Sequence, residues 1–378
     1  MSKKATRIFA SKKYSKKNIQ RQFKKFLFIS SQLVLLSSLA CGEAVDLSSS
    51  NLSSSDQCQP LSRVVVAAKP EVMLVVDKSG SMQYNFWDHD LDPMTEEVTR
   101  WNGLHGALEK TLQNYSDKVN FGLQLFPSLK AEQKYSELGC LVEDDPEVLP
   151  SSSNEGDILE VLPDSGSQEI YGGTPAARAL DNAMYALLAS NIHSKKAVIF
   201  ISDGVANCDS EAVNNFERFE VYNDVVHDIA EDSFVEDKIP TYIVGIDISK
   251  EMTEVDQDGQ PDAVVPFQKF NELAVQGGRA KSGEEKFYQS HNQFDIEDAL
   301  DEIVDDILDC SVELNADLLD KRSLKVFIGE ESFSQVHDCN QEDGWTYTNE
   351  NHDRIQLCGF ACESFQKEGS AQLDMSCE

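Results

Sequence analysis

Three side chains spaced by two, Asp77, Ser79 and Ser81 in Asp77-Lys78-Ser79-Gly80-Ser81, bring a carboxylate and two hydroxyls into one short turn. They offer only hard oxygen donors, a set that suits Mg²⁺, Ca²⁺ or Mn²⁺ and suits zinc poorly. The residues before them, Val72 to Val76, form an unbroken apolar run. Such a run reads as a strand buried on both faces, as in a parallel sheet, with the turn leaving its carboxyl end. That end is where open α/β sheets hold their ligands.

At these residues the chain resembles the von Willebrand factor A family, in which D-x-S-x-S opens a metal-ion-dependent adhesion site. The resemblance implies two further ligands, a threonine from a later loop and an aspartate from the end of a later strand. Thr174, in Gly172-Gly173-Thr174-Pro175, and Asp203, in Ser202-Asp203-Gly204 after the apolar run Ala197 to Ile201, stand at those places. Asp77, Ser79, Ser81, Thr174 and Asp203 are therefore the expected metal ligands, for Mg²⁺ or alternatively Mn²⁺ or Ca²⁺. Thr174 also fits a plain helix cap, but the two glycines before it let backbone approach a ligand closely. Asp203 also fits a turn before Gly204. Two carboxylates at neighbouring strand ends would repel, however, and a cation resolves that conflict.

The elements that must position these residues follow from periodicity. Trp101, Leu104, Leu108 and Leu112 share one helical face, as do Ala179, Leu180, Ala183, Met184, Leu187 and Leu188 after Pro175, which suits a first turn. Strands are expected at Val119 to Phe126, Thr241 to Ile246 and Lys286 to Gln289, with a short edge strand around Val148 or Ile158 to Leu162. Helices are expected over 211–236, Phe267 to Val275 and a final stretch bearing Ile296, Leu300, Ile303, Val304 and Ile307. This alternation predicts an α/β fold with a doubly wound, mainly parallel sheet across 64–309. The resemblance, which spans the same residues, implies the sheet order 3-2-1-4-5-6 with one antiparallel edge strand.

The ends of the chain have other compositions. Residues 1–25 carry ten Lys or Arg and no acid, and an apolar segment broken by serines and Gln32 runs from Phe26 to Ala40. That reads as a secretory signal over 1–41 rather than a membrane span of about 20 apolar residues. Ser38-Leu39-Ala40-Cys41-Gly42 resembles a bacterial lipobox, with Ser38 where leucine is usual, so Cys41 is the expected lipidation site; plain secretion is the alternative. Residues 42–63, rich in serine, read as a flexible tether. Beyond Cys310 short β-like runs (Leu324 to Ile328, Trp345 to Thr348, Arg354 to Leu357, Ala371 to Met375) predict a small cysteine-bearing β appendage over 310–378. Setting Cys41 aside, Cys58, Cys140, Cys208, Cys310, Cys339, Cys358, Cys362 and Cys377 remain. They form no C-x-x-C framework with histidines and read as disulfide candidates of an oxidising compartment. Cys140 and Cys208, both expected in loops at strand carboxyl ends, are the expected pair.

The chain has 66 acids against 33 basic residues, for a formal net charge of −33. Such a surface repels nucleic acid and anionic lipid. Asp256-Gln257-Asp258-Gly259-Gln260-Pro261-Asp262 has the alternating acids of a calcium loop but lacks its length and bidentate glutamate, and reads as a surface turn. His89, alone in an acidic loop, reads as a solvated histidine. The expected function is a non-enzymatic one, in the envelope of a bacterium as an outer-membrane or surface lipoprotein, or else secreted or periplasmic. There the metal would bind a protein partner that offers a carboxylate. The alternatives are a metal-stabilised structural domain and a hydrolase using Ser79 or Ser81. No G-x-S-x-G elbow, H-E-x-x-H or P-loop occurs to support the last.

Overall fold

The computed structural model describes residues 60–66, 69–192, 194–308, 310–314, 322–339 and 341–377. In chain order the strands are β1 (Leu61–Val66), β2 (Glu71–Asp77), β3 (Phe86–Trp87), β4 (Val98–Thr99), β5 (Asn120–Phe126), β6 (Lys196–Ser202), β7 (Thr241–Ile246), β8 (Tyr288–Ser290), β9 (Ser311–Glu313), β10 (Arg322–Ile328), β11 (Glu331–Phe333), β12 (Gly344–Tyr347), β13 (Arg354–Cys358) and β14 (Ser370–Cys377). The helices are α1 (Gly80–Tyr84), α2 (Arg100–Tyr115), α3 (Glu155–Val161), α4 (Ala176–Ala189), α5 (Asn215–Glu220), α6 (Val225–Val235), α7 (Pro266–Gln276), α8 (Gln293–Ile307) and α9 (Phe360–Glu368).

Five strands form a wholly parallel sheet in the order β5-β2-β6-β7-β8. Every residue of β2 is buried, which is why that strand has no polar alternation. Val72, Leu74 and Val76 feed one apolar cluster with residues of α2 and α8, while Met73 and Val75 feed another with α4, α6 and α7. The chain is thus an α/β protein with helices on both faces of its parallel sheet. Side-chain caps fix three helix starts: Thr99 accepts from Asn102 N–H at 3.1 Å ahead of α2, Asn214 from Glu217 N–H at 2.9 Å ahead of α5, and Asn292 from Asp295 N–H at 2.9 Å ahead of α8.

Three local expectations need correction. At the outer edge of β5 the only antiparallel pairing among the described residues is the bridge of Val148 to Leu123. Pro146 and Pro150 flank it and have no N–H to extend a ladder. Ile158 to Leu162 belongs to α3 and its end, not to a strand; a short apolar run has no period that separates the two. The helix expected over 211–236 is two, α5 and α6, parted at Val221, which is extended, and at Asn223, whose N–H donates to Ala206 O at 3.0 Å.

The carboxyl-terminal region contains the four expected strands together with β9, β11 and the unforeseen helix α9. They form two antiparallel sheets, β1-β14-β10-β11 and β12-β13-β9, over an apolar cluster that includes Val326, Trp345, Ile355, Leu357 and Leu373. The start of the α/β module expected at Val64 falls inside β1, which pairs with β14 along its whole length, Leu61 opposite Met375 to Val66 opposite Ser370. Leu61 and Val65 pack on that cluster, while Val64 and Val66 are exposed. Disulfides join Cys310 to Cys362 and Cys339 to Cys358. Cys41 and Cys58 lie outside the described residues, as does the side chain of Cys377. No helix among the described residues is long and apolar enough to cross a membrane.

Candidate functional site

The carboxyl ends of β2 and β6, paired in parallel with Val76 opposite Ile201, bring Asp77 and Asp203 side by side. Directly after Asp77 the chain turns into α1. The Asp77 carboxylate accepts the Ser79 N–H at 2.7 Å on one oxygen and the Ser202 hydroxyl on the other. The Ser79 and Ser81 hydroxyls are 3.0 Å apart, and Ser81 donates to Asp203 Oδ1 at 2.6 Å. Asp77, Ser79, Ser81 and Asp203 therefore form one connected cluster of oxygens. Asp77, Ser79 and Asp203 are buried and Ser81 is half-buried.

Thr174 reaches the same end of the sheet by backbone contacts. Gly80 N–H donates to Gly172 O at 3.2 Å, which docks the Gly172-Gly173 turn on the start of α1. Gly172 has φ of +105°, a conformation that favours glycine. Gly173 is required for space: a Cβ there would lie 2.6 Å from Cys208 Sγ and 2.8 Å from the Phe219 ring. Cys208 is bonded to Cys140, the expected pair, so the disulfide packs directly against the residue before Thr174. Buried Asn207 completes the frame, accepting Thr174 N–H at 2.7 Å and donating to Phe219 O at 3.2 Å and Gly259 O at 3.0 Å. The position ahead of α4 belongs to Pro175, and no side chain caps that helix. Thr174 is thus a buried residue that does not cap α4.

The electrostatics of the cluster are unbalanced. Burial, and after it the neighbouring Asp203, push the Asp77 carboxyl up to about 7, against the lowering effect of its hydrogen bonds to Ser202 and Ser79. Burial also pushes the Lys78 amine down to about 8. Lys78 Nζ donates to Glu169 O at 3.3 Å and lies 5.2 Å from the centre of the Tyr171 ring. The positive charge that meets Asp203 comes from elsewhere. Arg100, the first residue of α2, donates from Nη1 to Asp203 Oδ2 at 2.9 Å and from Nη2 to Asp247 beyond the end of β7.

Sequence reasoning missed Arg100, Asp247, Asn207 and Ser202. Only Ser202, beside Asp203, carried a local signal. The donor set fits a hard divalent cation: two acids, one of them destabilised by burial and then by its neighbour, linked through hydroxyls. Among the described residues no three His, Cys, Asp or Glu side chains gather as a metal site. This cluster has two acids and completes itself with hydroxyls. The Asp256 to Asp262 loop is a turn packed on α5, with Gly259 N–H donating to Glu220 at 3.0 Å. His89 is half-buried, its Nε2 3.7 Å from Asp90 Oδ2.

No protein-family model matches the chain, and no curated protein matches it. Among solved structures, the pilus adhesin SpaC from Lactobacillus rhamnosus GG is similar at 15% identity and a TM-score of 0.44, over 84% of this chain and 41% of its own. The PilB minor pilin from Streptococcus sanguinis is similar at 15% identity and a TM-score of 0.40, over 64% of this chain and 61% of its own. The manganese-loaded TRAP protein from Plasmodium vivax is similar at 16% identity and a TM-score of 0.39, over 64% of this chain and 76% of its own. The chain spans well under two thirds of the length of the SpaC adhesin, and at these scores none of the likenesses bears on function.

Proposed function

We propose that the chain is an exported, lipid-anchored binding protein of the von Willebrand factor A type. Asp77, Ser79, Ser81, Thr174 and Asp203 would hold a divalent cation, Mg²⁺ by preference and Mn²⁺ or Ca²⁺ as substitutes, to which a carboxylate of a protein partner binds. One observation carries this reading. Two acids from adjacent strand ends share a hydroxyl-bridged cluster in which one carboxyl is held near neutrality by burial and by the other acid. Arg100 meets the charge of Asp203, so it is Asp77 that ionises only at a cost unless a further cation is present. When bound, the ion supplies a Lewis-acidic position for an incoming oxygen ligand. The chain's own residues hold the two acids at a fixed separation and keep the serine hydroxyls directed at them.

The segment that leaves the cluster favours binding. Tyr84, Phe86, Leu91 and Met94 are exposed apolar side chains between the cluster and α2. Ser79 and Ser81 engage one another and Asp203, and among the described residues no histidine hydrogen bonds to either, which favours a ligand role over that of a nucleophile. The test is titration of the full chain with Mg²⁺ and Mn²⁺, repeated with Asp77→Asn and Asp203→Asn. Saturable binding in the wild type, lost in both variants, is expected. Equal binding in all three would overturn the assignment. Capture of envelope proteins on the immobilised chain, with Mg²⁺ and again with chelator, then reads the partner.

A further inference from the structure

Arg100 has no part in the ligand set above, yet its guanidinium is bonded directly to one member of that set, Asp203. Its side chain is 12% exposed and that of Asp203 is fully buried. The guanidinium divides the oxygens of Asp203: Oδ1 takes the Ser81 hydroxyl at 2.6 Å and Oδ2 takes Arg100 Nη1 at 2.9 Å. Its second nitrogen pairs with Asp247, which is half exposed. The Arg100 backbone N–H donates to Asn85 O at 3.1 Å, and Thr99 caps the helix that Arg100 begins, so the side chain springs from a fixed point just beyond α1. Asp247 is itself held: its N–H donates to Ser290 O at 2.8 Å, and His291 Nδ1 lies 3.4 Å from its Oδ1. Two acids therefore stand along the carboxyl ends of β6 and β7, Asp203 and Asp247, with Arg100 as the cation between them.

Resting on the reading of the cluster as a cation site, we propose that Arg100 is a built-in counter-cation that sets the site's affinity for divalent ions. It satisfies one of the two acids without metal, and it repels an ion that enters beside Asp203. Asp247 tempers this by sharing the guanidinium. A unit charge fixed within several ångströms of a divalent ion, in a buried setting, changes its affinity by about tenfold or more. Arg100 thus opposes metal binding, the reverse of a residue that merely holds Asp203 in place.

The two roles predict opposite signs. In the full chain, Mn²⁺ binding is followed by the loss of the free-ion paramagnetic resonance signal, with Mg²⁺ as competitor, for the wild type, Arg100→Met, Arg100→Lys and Asp247→Asn. Circular dichroism checks that each variant is folded. Arg100→Met is expected to bind Mn²⁺ about tenfold more tightly or better, Arg100→Lys to stay within about threefold of wild type, and Asp247→Asn to bind more weakly. Tighter binding by Arg100→Met supports the proposal, as does binding by that variant alone. Unchanged or weaker binding by Arg100→Met, with the wild type binding, overturns it and leaves the cation site standing. If Arg100→Met fails to fold, Asp247→Asn decides, since tighter or unchanged binding there overturns the proposal. No binding by wild type or Arg100→Met overturns both readings.

Discussion

Replacing Asp77 by Asn tests the central electrostatic argument, because the burial of Asp77 beside Asp203 sets the sign of the effect and its order of magnitude. The Asp77 carboxyl is raised from 3.8 to about 7, chiefly by burial and then by Asp203. The unfolded chain loses this proton near the ordinary value, while the folded chain keeps it until about neutrality. Between those limits the folded state holds more protons, so stability falls as pH rises. The contribution is fully present below the ordinary aspartate range and gone once pH has passed about 7. At roughly 1.4 kcal/mol for each tenfold change in proton affinity, the loss is on the order of 4 kcal/mol. Half-buried Glu147 is likewise raised to about 7, chiefly by desolvation, and tilts the curve the same way, so the difference between wild type and variant isolates Asp77. The assay is urea unfolding at pH 5, 6, 7 and 8, in chelator and in excess Mg²⁺. In chelator the wild type is expected to lose stability steeply across this range, Asp77→Asn to lose much less, and Asp203→Asn to lie between them. In Mg²⁺ the wild type alone is expected to gain, by about 2.7 kcal/mol at about 100 times its dissociation constant, and to gain more at pH 8 than at pH 5. Parallel curves for wild type and Asp77→Asn in chelator would refute the reasoning, whatever metal does.

Other outcomes follow from the geometry around the cluster. Gly173→Ala drives a methyl against the Cys140–Cys208 bridge and the Phe219 ring, and is expected to cost about 1–3 kcal/mol in thermal or urea unfolding while weakening Mn²⁺ binding. Thr174→Val keeps the branched shape and the backbone bonds to Asn207 but removes the hydroxyl. An unaltered melting temperature in chelator with weaker Mn²⁺ binding is expected, and full affinity would remove Thr174 from the ligand set. Cys41→Ser is expected to abolish incorporation of labelled fatty acid and to release the chain from the membrane fraction; retention in the membrane would point to an uncut signal anchor.

How much of this was legible beforehand depends on how far apart the interacting residues lie. Asp77, Ser79 and Ser81 fall within five residues of an apolar run, and Asp203 ends a second run, so the cluster could be read from local pattern. A parallel strand buried on both faces is mostly apolar, so the polar cluster at its end is conspicuous. The same logic located β6, β7, α4 and the runs that became β10, β12, β13 and β14. It failed where a segment is short or its period ambiguous, as at α3, α9 and the α5–α6 break.

The chain's own order of residues thus determined the donor chemistry, the buried strands that carry it and the acidic surface around it, because each is a property of a few consecutive side chains. The tertiary structure alone decided which charges meet. Arg100 reaches Asp203 across 103 positions and Asp247 across 147, and nothing in the residues around Arg100 marks it, since a helix start tolerates many side chains. Likewise β1 shows alternating Leu61 and Val65 but no sign that its partner is β14 at the other end of the chain. Strand pairing and ion pairing are chosen by the closed fold, in which segments distant along the backbone become neighbours only after the parallel sheet has set their positions.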